Sequence, residues 1–276
     1  MAGTLFVVAT PIGHLDDMSP RALRVLREAA LVAAEDTRRT GNLLRHFGIT
    51  NRILSLYQHN ERSRSAEIVG RLERGESVAL VSDAGTPGIS DPGAELVRLA
   101  RERHIRVEPV PGPSAVAAAV SVAGLEDPAF GFLGFPPVRS KDRKAWFERL
   151  ERVRSELAVV FFESPHRIQR TLSELDVFVK QPITVLRELT KLHEEALVGP
   201  PGDVLERLTT IQGEFTVVIP PRPAPVDTDI AVDPTTLRHE IGQLIENGVS
   251  SRREAARQVG LKFGLSTKFV YEHTKD

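Results

Sequence analysis

Three short apolar segments of this chain each run straight into a loop rich in glycine and proline. TLFVVA ends in Thr10-Pro11-Ile12-Gly13, SVALV in SDAGTPGISDPG (residues 82–93), and IRVEPV in PGPSA (residues 111–115). Buried strands that open into such loops at one edge of a sheet are how α/β proteins build ligand crevices. The middle loop constrains most. It sets Asp83, Thr86, Ser90 and Asp91 among Gly85, Gly88 and Gly93, so backbone and short polar groups can approach a ligand closely. A connecting turn needs only a pair of such residues, and we read residues 82–93 as a binding loop.

The segments between the loops alternate strand and helix. Ser19-Pro20 places an N-cap before a proline at the first helical position and opens RALRVLREAA. LVAA (31–34) reads as a strand, 40–47 and 61–74 as helices, 77–81 as a strand, PGAELVRLARERH as a helix and IRVEPV as a strand. This βαβ rhythm implies a mostly parallel sheet. A second unit restarts after PGPSA with a helix of small residues, AVAAAVSVAG. Strands are expected at 130–135, 157–162, 183–189 and 214–219, and helices near 141–152, 165–175 and 202–210. The expected architecture is therefore α/β: an N-terminal α/β domain over 1–113 and a second over 114–222. The Pro-rich stretch PPRPAPVDTD then gives a linker over 223–233 and a small helical domain over 234–276, with helices at 234–247, 251–259 and 264–274.

Several functional classes drop out. A formal net charge of −1 over 276 residues gives no global positive field, so any nucleic-acid surface is local. The absence of cysteine removes disulfides, thiolate metal sites and a cysteine nucleophile. The eight histidines show no paired ligand spacing, and no metal is expected. No Gly-x-Gly follows the first strand and no Gly-Lys-Ser/Thr follows any strand, against a dinucleotide-binding unit or a P-loop. The most apolar stretch, 115–124, is too short to span a bilayer. We expect a soluble cytoplasmic protein.

Charged clusters stand at the predicted strand ends. Glu35-Asp36-Thr37-Arg38-Arg39 combines acids suited to a helix start with two arginines suited to phosphate. Glu163-Ser164-Pro165-His166-Arg167 reads as a helix start with Ser164 as N-cap, which would fix His166 and Arg167 near the crevice. Arg187, Glu188 and Lys191 follow another strand. Trp146 and Phe147, in a basic segment over 139–154, have helical spacing and read as core. In the tail, Ala255-Ala256, a turn at Lys262-Phe263-Gly264, and Phe269-Val270 resemble a helix-turn-helix with a basic side from Arg252, Arg253, Arg257, Lys262 and Lys268. A protein-interaction module fits the same pattern.

The stretches VATPIGHLDD, AAEDTRRT, SDAGTPGISDPG, PGPSA, FFESPHR, RELTKLHEE and GEFTVVI, in this order to about residue 220, resemble the tetrapyrrole methylase superfamily. Within it they are similar to the ribosomal RNA small subunit methyltransferase I family. That resemblance implies two α/β domains with an S-adenosylmethionine cleft between them, plus a small C-terminal helix-turn-helix-like domain. Carried over by position, it implies cofactor contacts from Ile12, Gly85, Thr86, Pro87, Ile89, Ser114, Ala115, Phe162, Glu163 and Leu189. Thr86 stands where many relatives have the Asp of Gly-Asp-Pro. RNA contacts are expected from Arg38, Arg39, His166, Arg167, Arg252, Arg253 and Lys268. The sequence does not single out a general base; the candidates are Glu188, Lys191, Asp36 and Glu163. The implied reaction is 2′-O-methylation of a cytidine ribose in the decoding region of small-subunit ribosomal RNA, free or in the assembled subunit, by a homodimer. The alternatives are a precorrin-type small-molecule methyltransferase and a ligand-sensing helix-turn-helix regulator.

Overall fold

Five short strands, β1 (Thr4–Val8), β2 (Leu31–Ala34), β3 (Ile53–Ser55), β4 (Val78–Val81) and β5 (Arg106–Val110), pair parallel throughout in the order β3-β2-β4-β1-β5. In this computed structural model the described residues are 2–57, 59–127, 129–223, 233–246, 249, 251–263 and 265–274. Residues 224–232 of the expected linker, and Gly264 of the expected turn, lie outside them.

The inner strands β2 and β4 are buried on both faces, which is why they are runs of Val, Leu and Ala. Val8, Val32, Ala34, Ala79 and Val81 pack with α1 (Pro20–Glu28) and α2 (Thr37–His46) on one face. Leu5, Leu31, Ala33, Val78 and Leu80 pack with α3 (Glu61–Glu73) and α4 (Ala94–Glu102) on the other. Ser19 caps α1 as expected, its hydroxyl accepting from the Ala22 amide at 3.1 Å. The neighbours β1 and β4 send their connections to opposite faces, β1 through α1 and β4 through α4. The crevice therefore opens at the carboxyl ends of these two strands, where the topology switches.

The second sheet is mixed. β6 (Phe130–Phe132) pairs parallel with β7 (Ala158–Glu163), while β10 (Phe215–Ile219), β8 (Ile183–Arg187) and β9 (Glu195–Gly199) pair antiparallel, in the order β6-β7-β10-β8-β9. Side chains alternate between its faces. Val159, Phe161, Phe215 and Val217 pack with α6 (Ser140–Val153), α7 (Ile168–Asp176) and α8 (Pro201–Arg207). Val160, Leu186 and Val218 pack against α5 (Ala115–Val122), joined by Ile89 from the long loop of the first sheet. Trp146 is core as expected, its ring edge-to-face with Phe161 and its Nε1–H donating to the Leu133 carbonyl at 3.3 Å.

Several expected boundaries move. β6 ends at Phe132 rather than 135, because Gly134 turns the chain with φ +65°. β8 ends at Arg187 rather than 189, because Glu188 is left-handed with φ +53°. α7 begins at Ile168 rather than 165, since residues 165–167 form a turn first. The strands β3 and β9 were not anticipated.

The chain divides into two compact units, residues 1–153 with 157–220, and residues 154–156 with 221–276. Both sheets lie in the first. The second is helical: α9 (Pro234–Glu246), α10 (Arg252–Phe263) and α11 (Thr267–His273) bury Leu237, Ile241, Ala255, Ala256, Val259, Leu265 and Val270. α10 runs on to Phe263, so Lys262 and Phe263 are helical rather than turn. Ser266 caps α11 through the Phe269 amide at 3.0 Å.

Candidate active site

The three glycine–proline loops join into one wall. Thr10 and Gly85 exchange backbone hydrogen bonds of 2.8 and 3.0 Å, a one-pair bridge between the first two loops. Gly85 has φ +78°, which favours glycine by conformation, and a Cβ there would press on Ile12 at 3.3 Å. Thr86 Oγ1 donates to the Pro113 carbonyl at 3.0 Å and ties the second loop to the third. Thr86 thus has a structural job at this position.

The opposite wall comes from the second sheet: Phe162 and Glu163 at the end of β7, Ser164 and Pro165 beyond it, Phe135, and Glu214, Phe215 and Thr216 at the start of β10. Between the walls is a cavity of about 350 Å³, within the range of small-molecule sites. Of the expected cofactor positions, Ile12, Gly85, Thr86, Ile89, Ser114, Ala115, Phe162 and Glu163 line it. Ser114 and Ala115 start α5, so the positive end of that helix is at the cavity wall. Pro87 is buried outside the lining, and Leu189 packs on the apolar cluster around α5.

One clasp closes the two walls. The His14 amide donates to Thr190 Oγ1 at 3.1 Å. Gly13 sits so close to this segment that a Cβ would lie 2.5 Å from Lys191 Cγ, 2.6 Å from Thr190 Oγ1 and 2.9 Å from the Leu189 carbonyl. Glu188 and Thr190 are both left-handed, with φ +53° and +65°. Such non-glycine residues persist only where their surroundings over-determine them. Lys191 Nζ bridges Glu188 at 2.7 Å and Glu214 at 3.0 Å, and Glu188 also accepts from the Glu214 amide at 2.9 Å.

These contacts tune the expected acid–base groups away from neutrality. Burial works against the Glu188 carboxylate, but the bonds from Lys191 and the Glu214 amide outweigh it and hold its pKa below the ordinary value. Burial likewise opposes the Lys191 charge, and its two carboxylate partners overcome it and hold its pKa above the ordinary value. Neither residue lines the cavity. Asp36 is the N-cap of α2, as its position before a helix implied. Its carboxylate accepts from the Arg39 and Arg38 amides at 3.2 and 2.8 Å, and these bonds lower its pKa. Glu163 is fully buried and its oxygens are occupied: Oε1 accepts from the Ser164 amide at 2.8 Å and lies 2.9 Å from Arg167 Nη2, and Oε2 accepts from Thr171 Oγ1 at 2.6 Å.

Ser164 is not a helix cap, contrary to expectation. Its hydroxyl accepts from Arg167 Nε at 2.9 Å, and α7 starts only after the intervening turn, with Arg167 at its N-cap position. Arg167 spends its remaining nitrogens on the Pro136 carbonyl at 2.9 Å and on Glu163. Arg167, an expected RNA contact, is held here by Ser164, the Pro136 carbonyl and Glu163, with its side chain 25% exposed. His166 is exposed beside it. Arg39 lines the cavity with Nη1 3.5 Å from Asp83 Oδ2, while Arg38 is exposed and outside the lining.

In the helical unit, Arg253 and Lys268 are exposed. Arg252 donates to the Thr274 carbonyl, Arg257 pairs with Glu254 at 2.8 Å and Lys262 with Glu240 at 2.7 Å.

Glu35, Asp83 and Asp91 also line the cavity, the last two from the predicted binding loop, although the sequence assigns none of the three an individual role. The polar density of the loop signalled Asp83 and Asp91. Burial raises the Glu35 carboxyl, with the Asp83 charge adding and Arg39 opposing. Burial pushes Asp91 up to about 6, the Ser82 hydrogen bond opposing and the charges of Glu35, Asp83 and Glu214 adding. Phe135, Glu214 and Thr216 also line the cavity, and only the fold brings them there.

Comparison with known proteins gives a consistent picture. Residues 4–204 match the family described as Tetrapyrrole (Corrin/Porphyrin) Methylases. The chain is 41% identical over 274 residues to a Synechocystis protein named ribosomal RNA small subunit methyltransferase I, covering 98% of this chain and 96% of that one. A Pseudomonas aeruginosa protein of the same name is 54% identical over 196 residues, 70% of this chain and 68% of that one. One from Halalkalibacterium halodurans is 37% identical over 273 residues, 98% and 93%. Among solved structures, a diphthine synthase superposes with TM-score 0.62 at 16% identity, covering 79% of this chain and 89% of that one. A uroporphyrin-III-C-methyltransferase from Thermus thermophilus gives 0.55 at 18%, covering 78% and 94%. At these identities the structural likeness shows the fold.

Proposed function

Since the chain belongs to the tetrapyrrole methylase family and, within it, to the ribosomal RNA small subunit methyltransferase I group, we propose that it methylates small-subunit ribosomal RNA with S-adenosylmethionine as donor. The finer reading is transfer to the 2′-hydroxyl of a cytidine in the decoding region. The observation that carries the proposal is near-full-length identity to proteins of that name, extending through the helical tail.

The cavity has the chemistry to hold the donor. Ile12, Ile89, Phe135 and Phe162 offer apolar surfaces for a flat adenine. The start of α5 at Ser114 and Ala115 offers backbone N–H groups to a carboxylate. Glu35, Asp83 and Asp91 make the lining acidic, which suits a ligand carrying sulfonium and ammonium charges. When bound, the donor supplies a methyl group on positively charged sulfur. The residues of the chain align the acceptor oxygen with that methyl and keep water out, and alignment is a large part of the acceleration available to such a reaction.

The proposal includes the division into domains at 1–113, 114–222 and 234–276, a homodimer, and work in the cytoplasm on the ribosomal subunit. Among the described residues no helix is long and apolar enough to cross a membrane. Arg38, Arg39, His166, Arg253 and Lys268 are the proposed RNA contacts.

Radiolabelled S-adenosylmethionine, offered with assembled small subunits, with naked small-subunit RNA and with a tetrapyrrole precursor, tests it. Label is expected in RNA, and nuclease digestion with mass spectrometry should locate it on one cytidine ribose. Label in the tetrapyrrole alone would overturn the RNA reading. Label on a base would overturn the 2′-O reading and leave the coarser one.

A further inference from the structure

Methylating a hydroxyl releases a proton, and the cavity must offer it a place to go. Six titratable or charged side chains line the cavity: Glu35 after β2, Arg39 on α2, Asp83 and Asp91 on the long loop, Glu163 at the end of β7 and Glu214 before β10. Most are engaged elsewhere. The Glu163 oxygens are occupied by the Ser164 amide, Arg167 and Thr171. Asp83 accepts from the Asp36 amide at 3.0 Å and lies 3.5 Å from Arg39. Glu214 is 3.0 Å from Lys191 and its side chain is 70% exposed. Burial and the Asp83 charge raise Glu35 as well, and it differs from Asp91 in having the Arg39 cation among its principal partners. Asp91 remains.

We propose that Asp91 is the general base of the methyl transfer, taking the proton of the acceptor hydroxyl; this rests on the methyltransferase reading above. The hydroxyl O–H bond breaks toward the Asp91 carboxylate as the oxygen forms its bond to the methyl carbon. The carbon–sulfur bond breaks with its electron pair on sulfur, so the sulfonium becomes a neutral thioether. The proton leaves Asp91 for water afterwards.

The position is held firmly. Glu61 at the start of α3 accepts from the Gly93 and Glu95 amides at 2.8 and 3.1 Å, anchoring the chain two residues past Asp91. Thr86 and Gly85 fix the other end of the loop. Facing Asp91 are the Ser82 hydroxyl and the charges of Glu35, Asp83 and Glu214, and no cation stands among its principal electrostatic partners. A carboxyl at about 6 is ionised at neutral pH yet a stronger base than an ordinary aspartate.

The test uses the full-length protein and Asp91→Asn, which keeps shape and removes basicity. Without donor or RNA, carbon NMR of labelled aspartate should show a carboxyl titrating near pH 6 that vanishes in the variant. Calorimetry with S-adenosylmethionine should show donor affinity falling far less than the methylation rate, since Asp91 is one of several acids lining the cavity. Single-turnover methylation of small-subunit RNA should fall about 100-fold or more, and the loss of wild-type rate below about pH 6 should disappear in the variant. The assignment is overturned if the variant methylates within threefold of wild type. It is also overturned if the Asp91 carboxyl titrates at its ordinary value, if donor affinity and rate fall together, or if Glu35→Gln abolishes the acidic limb while Asp91→Asn retains it. A wild-type protein that methylates no acceptor overturns the underlying reading and the assignment with it. An active wild type with an unimpaired variant overturns the assignment alone.

Discussion

Arg167 is joined to the fully buried carboxylate of Glu163, its Nη2 2.9 Å from Oε1, and its other nitrogens are held by Ser164 and the Pro136 carbonyl. Arg167 therefore shares the neutralisation of Glu163 with Arg143, whose Nη1 lies 4.0 Å from Oε2, and links the strand end to the segment before α6. Removing one partner of a buried pair leaves the other charge uncompensated. Arg167→Ala should destabilise the protein by about 3 kcal/mol, read from urea unfolding. The slope of log RNA affinity against log salt should stay unchanged. A slope reduced by about 0.7 in a stable variant would instead make Arg167 a phosphate contact.

The clasp between Gly13 and Thr190 sets how closely the two walls approach. Gly13→Ala puts a methyl 2.5 Å from Lys191 Cγ and 2.9 Å from the Leu189 carbonyl, and the carbonyl cannot swing aside as a side chain can. The expected cost is about 1–3 kcal/mol of stability. The displaced loop carries Ile12, so donor affinity should weaken about tenfold, or about 1.4 kcal/mol. Unchanged affinity by calorimetry would show that the clasp does not govern the cavity.

Gly85→Val tests the opposite wall. At φ +78° a side chain is strained by about 1–2 kcal/mol, and its Cβ presses on Ile12 at 3.3 Å. The protein should remain folded and lose donor affinity at least tenfold. A folded variant with unchanged affinity would move the donor site elsewhere.

Much of this site was legible because its loops combine chemistry and punctuation. Thr10 to Gly13, residues 82–93 and residues 111–115 mark strand ends by glycine and proline alone, and strand ends of a parallel sheet are where crevices open. What escaped depends on distance in space. Nothing local distinguishes a surface arginine from Arg167, whose partners include a carbonyl 31 residues away. Ser164-Pro165 has the form of a helix start, yet the side chain of Arg167 takes the hydroxyl. β9 was hidden because Glu195–Gly199 is half exposed and follows a charged loop, and β3 because it is only three residues long. The base candidates carry a further lesson: Asp36, Glu188 and Lys191 look alike in a list of charges, and only the fold shows the hydrogen bonds each one makes.

Removing residues 225–276 should leave donor binding intact and impair RNA methylation. The tail buries its own cluster around Leu237, Ala255 and Val270, and the two sheets bury separate ones, so the cavity should not depend on it. Donor affinity within about twofold of the full chain is expected, with weaker and less salt-dependent RNA binding. Loss of donor binding would make the tail part of the catalytic fold. Unchanged RNA affinity, salt slope and methylation would remove its nucleic-acid role.

Asp91 should also leave a mark on stability. Its carboxyl titrates at about 6 in the folded protein against 3.8 ordinarily. Below 3.8 both folded and unfolded chains hold the proton, and the residue contributes no pH dependence. Between 3.8 and about 6 the folded chain keeps a proton that the unfolded chain has lost, so stability falls as pH rises through this window. Above about 6 the ionised carboxylate is a fixed burden on the fold, which Asn does not carry. Partial solvent contact reduces the size of the effect without changing its sign. The urea midpoint of Asp91→Asn should therefore exceed that of wild type at pH 7.5, with the gap narrowing at pH 5 and closing near pH 3.8. A gap that is absent, reversed or flat with pH would mean that the Asp91 carboxylate is well solvated, which is incompatible with a base raised by burial.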